Sequence, residues 1–293
     1  MTRSPASQVW DAEGLWEALE PLLPGLSVEV MARVASTNTS LLERARGLSD
    51  VAEPTRPGEL AGTRGRRAGD VSPCLMVAEQ QTHGRGRQGR AWLSGPGSSL
   101  TFSLSLSLAP AHWGGLSLAV GLALAEALDP IAAHGAARIA LKWPNDLWLV
   151  EAPGTGRKLG GILIETVMVG EHRLCVVGVG LNVLPRSEFP ELGLNHGYAC
   201  LQEIDEQASA PGALARVALP LVRALKDFEL HGFAPLRAAY GSRDLLRGHA
   251  VTTSAPDSLE GVAEGVDVNG ALLLRCGSLH RVVSGEVSVR LNN

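Results

Sequence analysis

Glycine and arginine alternate through residues 84–90, Gly-Arg-Gly-Arg-Gln-Gly-Arg. Glycine lets a backbone bend tightly and approach a ligand with no Cβ in the way. Arginine carries a permanent charge in a planar fork that matches phosphate and carboxylate oxygens. A loop with Arg85, Arg87 and Arg90 set among Gly84, Gly86 and Gly89 is therefore suited to wrapping an anion. The three glycines also satisfy G-x-G-x-x-G, but the dinucleotide fingerprint needs a helix to follow. Trp92, Leu93, Ser94, Gly95, Pro96 and Gly97 follow instead and cannot open one. Residues 100–108 then place an apolar side chain at every second position, which is the period of a strand. No G-x-x-x-x-G-K-[ST] run is present.

Four further segments combine small residues with charged or amide groups. Ser36, Thr37 and Asn38 suit a helix cap and by themselves say no more. In Lys142, Trp143, Pro144, Asn145 and Asp146, the proline breaks a strand and leaves Asn145 and Asp146 at its end. That is either an ordinary turn or a carboxylate for Mg²⁺, which favours one or two carboxylates plus substrate phosphates. Lys158 stands at the mouth of an apolar strand beside Gly160 and Gly161, where a surface lysine is the plainer alternative. Gly178 and Gly180 lead to Asn182, and glycines inside a strand mark close approach of a ligand or backbone.

The elements that must position these residues follow from periodicity and caps. Helices are expected over 11–23, 41–48, 116–128, 211–230 and 234–240, and strands over 28–34, 74–78, 138–141 and 147–150. Residues 158–169 and 172–183 form a hairpin turning at Gly170 and Glu171. Residues 49–72 read as a long loop without periodicity. Beyond residue 250 the chain is short strands, 251–253, 261–266, 271–275 and 282–291, with Asn269-Gly270 as a hairpin signal. About 50 residues of that kind predict a small appended β-barrel after a catalytic unit, dividing the chain into 1–242 and 243–293.

Composition bounds the rest. The 293 residues are 45% hydrophobic with a net charge of −4, so nothing global points to nucleic acid or a membrane. Arg56, Arg64, Arg66 and Arg67 join the three loop arginines in one basic stretch, and the first four read as a solvated loop. Cys74, Cys175, Cys200 and Cys276 are widely spaced, with no metal-ligand spacing. Cys74 and Cys175 lie in apolar runs that suit buried thiols better than a disulfide. No signal peptide is indicated, and the longest apolar stretch is too short to span a bilayer. A cytoplasmic protein is expected.

Taken in order, the five segments resemble the biotin protein ligases, also called biotin–[acetyl-CoA-carboxylase] ligases. The hallmark G-R-G-R-x-G-R loop is residues 84–90, followed by K-W-P-N-D at 142–146, K-[LI]-[AG]-G-[IV]-L-[IV]-E at 158–165 and G-x-G-x-N at 178–182, with S-T-N upstream at 36–38. Residues 284–290 resemble the end of that family's SH3-like C-terminal domain, and the likeness spans residues 30–291. It implies an α+β fold: a mixed β-sheet backed by helices, of the biotin/lipoate-ligase type, with a small SH3-like β-barrel. The implied reaction joins biotin to ATP as biotinyl-5′-AMP and then passes the acyl group to a lysine of a carboxylase's biotin carboxyl carrier domain. By the same resemblance Arg87 and Lys158 contact the biotin carboxylate and the α-phosphate, Arg90 supports the ATP phosphates, and Asp146 and Asn145 hold Mg²⁺ and phosphate groups. Asn182 and Trp92 belong to the nucleotide side. Ser36, Thr37, Asn38 and Gln81 serve the ureido ring, Gly84 and Arg85 add contacts, and Trp143, Gly160 and Gly161 wall the biotin slot.

No covalent enzyme intermediate is implied, and the loop is expected to be mobile when empty and to close over the adenylate. His83 replaces a small residue of many relatives, and an exposed ring is expected. Some relatives carry an N-terminal helix-turn-helix domain. Here only about 30 residues precede the catalytic region, and they are not basic, so no nucleic-acid partner is expected. A homodimer is compatible with the family. Lipoate or octanoate ligation, or a silent biotin sensor, are the alternatives. The paired G-R-G-R-x-G-R and K-W-P-N-D runs weigh against the first, and retention of Arg87, Asp146 and Lys158 against the second.

Overall fold

Strand alternation sorts the chain's side chains onto two sheet faces. The computed structural model describes residues 8–47, 71–131, 136–185, 197–253, 258–283 and 289–291. Most of the long 49–72 loop, with Arg56, Arg64, Arg66 and Arg67, and most of the terminal 284–290 run lie outside those residues.

Seven strands build the central sheet: β1 (Ser27–Val34), β2 (Cys74–Gln81), β5 (Ser99–Ser107), β6 (Ile139–Lys142), β7 (Asp146–Ala152), β8 (Thr155–Val169) and β9 (His172–Asn182). Their order is β1-β2-β5-β9-β8-β7-β6. β1 pairs with β2 in parallel and the other neighbours are antiparallel, so the sheet is mixed as expected. Two short strands, β3 (Gly84–Arg85) and β4 (Ala91–Trp92), pair with each other across the glycine-arginine loop.

One sheet face carries Leu100, Phe102, Leu104, Leu106, Ile162, Val179 and Leu181 and packs on α3 (Leu116–Leu128) and α4 (Ala210–His231). α3 is apolar on nearly every side because it lies between that face and α4. α1 (Ala12–Leu19) is capped by Asp11 and adds Leu15 and Leu19 to the same core. It stops short of the expected end at residue 23. The opposite face is partly covered by α2 (Thr37–Arg46), whose Leu41 and Leu42 pack on Cys74, Met76 and Val176. α2 starts earlier than its apolar run predicts, because Ser36 Oγ caps the Thr39 N–H and Gln81 Oε1 accepts the Thr37 N–H.

After α4, the expected 234–240 helix is split into a 3₁₀ turn, Ala234–Leu236, and the short α5 (Arg237–Gly241). A five-stranded antiparallel sheet follows: β10 (Ala250–Thr253), β11 (Glu260–Val266), β12 (Leu272–Cys276), β13 (Ser278–Val282) and β14 (Val289–Leu291). Its order is β13-β12-β11-β10-β14. This corrects two expectations. The single strand over 282–291 is two strands, because Gly277 at φ +76° turns β12 back into β13, which ends at Val282. The barrel is not closed: β13 and β14 are the two edges and do not pair among the described residues.

Candidate active site

Three strand-level details bring the motif residues onto the α2 face of the sheet. The first is a register shift between β7 and β8, from Leu147↔Gly160 to Trp148↔Lys158. The extra residue turns Lys158 onto the same face as Gly161. A Cβ on Gly161 would sit 3.4 Å from Asp146 Oδ1 and 3.6 Å from Lys158 Nζ. Lys158 Nζ donates to Asp146 Oδ1 at 2.7 Å, and both side chains are half-buried. Gly160 points the other way, against Leu181 of the core.

The second detail is the pair of strand glycines. A Cβ on Gly178 would lie 2.1 Å from Asn38 Oδ1, and one on Gly180 would lie 2.4 Å from the Trp92 ring. Their absence lets the Asn38 amide and the Trp92 indole lie flat on β9. Asn38 is buried and fully engaged. Its amide nitrogen donates to the Leu163 carbonyl and to Glu165 Oε2, and its Oδ1 accepts from Ser103 Oγ. Asn182 at the end of β9 is also buried, its amide nitrogen donating to the Lys158 and Ala199 carbonyls. It thereby ties the segment after residue 197 to the start of β8.

The third detail is the loop itself. Its backbone closes through Gly86 N–H to the Arg90 carbonyl at 2.7 Å, and Gln88 adopts the left-handed region at φ 56°. Arg85 Nη2 donates to both oxygens of Glu165 at 3.2 and 2.9 Å. Arg87 Nη1 reaches Asn145 Oδ1 at 3.4 Å, while Asn145 Nδ2 donates to the Ile162 carbonyl. Burial pushes the Arg87 guanidinium below its ordinary pKa, Asp146 opposes that shift and Arg90 adds to it. Arg90 and His83 are exposed.

Lys158, Asp146, Asn145, Arg87, Gly161, Trp92, Thr37, Asn38 and Gln81 thus gather around one face. Trp143 is buried in a different direction. Its indole N–H donates to the Gly270 carbonyl at 3.0 Å, and it lines a 480 Å³ cavity on the α3 side with Trp113, Ile162, Arg173, Gly270 and Arg87. Arg87 stands at the rim between that cavity and the Lys158 side. Arg173 stacks on the Trp113 ring, 5.5 Å from its centre. Sequence reasoning did not single out Trp113 or Arg173, since neither lies in a run of chemistry-bearing residues. It also gave no role to Lys142, buried with its ammonium 4.1 Å over the Trp148 ring, nor to Glu165 and Ser103. The available signal for Ser103 was the run Thr101, Ser103, Ser105: a polar face of a strand that is buried in the fold.

Two cations, a carboxylate and three amides around a strand-lined floor can bring anionic groups together and offset their repulsion. Among the described residues no cluster of three or more His, Cys, Asp or Glu is placed to hold a metal ion by itself.

The Biotin/lipoate A/B protein ligase family matches residues 68–182, and the Biotin protein ligase C terminal domain matches residues 250–290. The bifunctional ligase/repressor BirA of Escherichia coli is 35% identical over 273 residues, covering 92% of this chain and 75% of that protein. The biotin–[acetyl-CoA-carboxylase] ligase of Mycobacterium tuberculosis is 31% identical over 279 residues, covering 90% and 89%. A biotin protein ligase from Aquifex aeolicus, solved in complex with biotin and ATP, superposes with a TM-score of 0.67 at 26% identity, covering 90% of this chain and 99% of that one. By its motifs, its fold and its relatives along most of its length, this chain belongs to the biotin protein ligase family.

Proposed function

We infer that this protein is an ATP-dependent ligase that activates biotin as biotinyl-5′-AMP and transfers it to a lysine on the carrier domain of a biotin-dependent carboxylase, as acetyl-CoA carboxylase is. The observation that carries the reading is the pairing of Lys158 with Asp146 on one face of the sheet, with the loop arginine Arg87 reaching Asn145 at its rim. In the first step a biotin carboxylate oxygen forms a bond to the α-phosphorus of ATP, and the bond to the bridging oxygen breaks to release pyrophosphate. Two anions must meet, and Lys158 and Arg87 offset their repulsion in the half-buried site, with Arg90 toward the released phosphates. In the second step the carrier lysine's nitrogen attacks the acyl carbon and AMP leaves, a reaction that needs positioning more than further activation.

Thr37 and Gln81 supply directed polar contacts for the ureido ring, with Ser36 and the Gly84–Arg85 backbone beside them. Gly161 opens the floor near the reacting carboxylate. Trp92, flat on Gly180, offers a surface on the nucleotide side. A single half-buried carboxylate at Asp146 beside Asn145 fits Mg²⁺ that arrives on the triphosphate. When bound, that ion supplies charge neutralisation, and Asp146 with Asn145 would hold it.

The reading carries three further parts. The net charge of −4 supports action without a nucleic-acid partner. β8 beyond Ile162 has a strand on one side only among the described residues, which supports homodimer formation by strand addition. All four cysteines are free thiols and no described helix is long and apolar enough to cross a membrane, which fits a cytoplasmic location.

Biotin-dependent exchange of labelled pyrophosphate into ATP, followed by label transfer to a purified carrier domain, tests the reading. Both activities are expected with biotin. Exchange supported by lipoate but not biotin, or biotin binding with no exchange, overturns it.

A further inference from the structure

A continuous hydrogen-bonded line runs from the surface of the glycine-arginine loop to the floor of the site. At its outer end Arg85 donates to both oxygens of Glu165. Glu165 Oε2 also accepts from Asn38 Nδ2 at 3.0 Å. Asn38 Oδ1 is an acceptor only, so Ser103 Oγ donates to it, at 2.6 Å. The Ser103 hydroxyl proton is then committed, and the contact of 2.6 Å between Ser103 Oγ and Thr37 Oγ1 has Thr37 as donor. Thr37 in turn gives its backbone N–H to Gln81 Oε1 at 2.7 Å, and its hydroxyl lies 3.2 Å from the same oxygen. Ser103, Thr37 and Asn38 are all nearly inaccessible to water, so an orientation set at one end is held along the line.

The two ends have different tasks in the proposed reaction. Thr37 and Gln81 face the ureido ring, while Arg85 sits two residues before Arg87, which must close over the reacting phosphate. We propose that Glu165 is a positioning residue that couples the occupied ureido pocket to closure of the loop, with Arg85 serving as the loop's clasp. A ureido group that engages Thr37 and Gln81 fixes the Thr37 hydroxyl, and with it Ser103, Asn38 and the Glu165 carboxylate that receives Arg85. Closure of the loop is thereby favoured by the ligand the pocket recognises. The inference rests on the ligase reading and adds to it the residue that keeps the adenylate in place.

The test loads the full-length protein with labelled biotinyl-AMP from biotin and ATP and follows its release in a chase. Glu165→Gln keeps an acceptor for Asn38 but removes the charge that holds Arg85, and Arg85→Met removes the clasp from the exposed side. Each is expected to speed release by about tenfold, and the double variant by no more than either alone, because one interaction is lost once. Glu165→Asp keeps the charge and is expected to hold the adenylate closer to wild type than Glu165→Gln does. Release within twofold of wild type in Glu165→Gln, or effects of the two changes that multiply in the double variant, overturns the proposal. If Glu165→Gln does not fold, Arg85→Met still decides: unaltered release from it overturns the coupling. A wild type that forms no biotinyl-AMP removes the ligase reading and this proposal together. A wild type that retains its adenylate beside variants that retain it equally removes this proposal alone.

Discussion

Lys158 is the cation that pairs with Asp146 in the proposed site. Its ammonium donates to Asp146 at 2.7 Å, so a contact within the protein orients the cation. Lys158→Ala should lower biotin-dependent pyrophosphate exchange by about a hundred- to a thousandfold, as loss of other preorganised charge contacts does. The loss belongs in kcat more than in KM if the ammonium acts on charge that develops in the transition state. A variant within fivefold of wild type would reject that role. At this scale most of the residues that the fold gathers in the candidate site were legible. Arg87, Asp146, Lys158 and Gly161 stand in runs whose residue types declare charge and close approach. Asn38 was legible as polar, but a sequence does not show that its amide would be consumed by Leu163, Glu165 and Ser103. Nor does it show that the Arg85 side chain turns to Glu165.

Strands and helices were read well where periodicity was long. α3 occupies the expected residues, and the β8–β9 hairpin turns where Gly170 and Glu171 predict. Errors gathered where a cap or a glycine turn decides a boundary, as at the start of α2 and between β12 and β13. The connection after α5 offers a test at this scale. Asp244 bridges to β6 beside Leu141, next to Tyr240 and Arg247. Burial pushes its carboxyl up to about 6, against the opposing pull of the Leu246 N–H and of Arg247. An unfolded aspartate titrates near about 3.9. Between those values the folded protein holds a proton that the unfolded chain has released, so stability falls as pH rises through the window and stays lower above it. Asp244→Asn keeps an acceptor for Leu246 and removes the ionisation. It should stabilise the protein by about 3 kcal/mol near neutral pH and by about 0.5 kcal/mol or less at about pH 4, read from urea unfolding at both. Equal effects at the two pH values would dismiss the ionised carboxylate as the cause.

On the scale of the molecule, one apolar core runs through both sheets. Val251, Ala263, Val266, Leu272 and Leu274 of the C-terminal strands belong to the same cluster as Leu141, Trp143 and the α3 leucines. Polar contacts cross the same boundary: Trp143 Nε1 to the Gly270 carbonyl and Arg237 Nε to the Val266 carbonyl. The buried Arg243–Asp129 pair ties the segment leading to the C-terminal strands to the end of α3. We therefore expect the proposed units 1–242 and 243–293 to unfold together. Calorimetry of the whole protein should show one transition, and a chain ending at residue 249 should lose cooperative unfolding, because cutting there exposes that shared apolar surface. A shortened chain with the full-length midpoint in urea would show that the two parts are independent.

The sequence by itself determined which residues are candidates for chemistry, the alternation that makes each strand two-faced, and the family, because these depend on residue type and on short ordered runs of neighbours. Tertiary structure alone decided which face gathers the candidate residues. A one-residue shift in β7–β8 pairing brings Lys158 round to Asp146, and packing under α2 turns the serine face of β5 from a surface into a floor. Register and burial arise from contacts between segments far apart in the chain, and no local pattern encodes them.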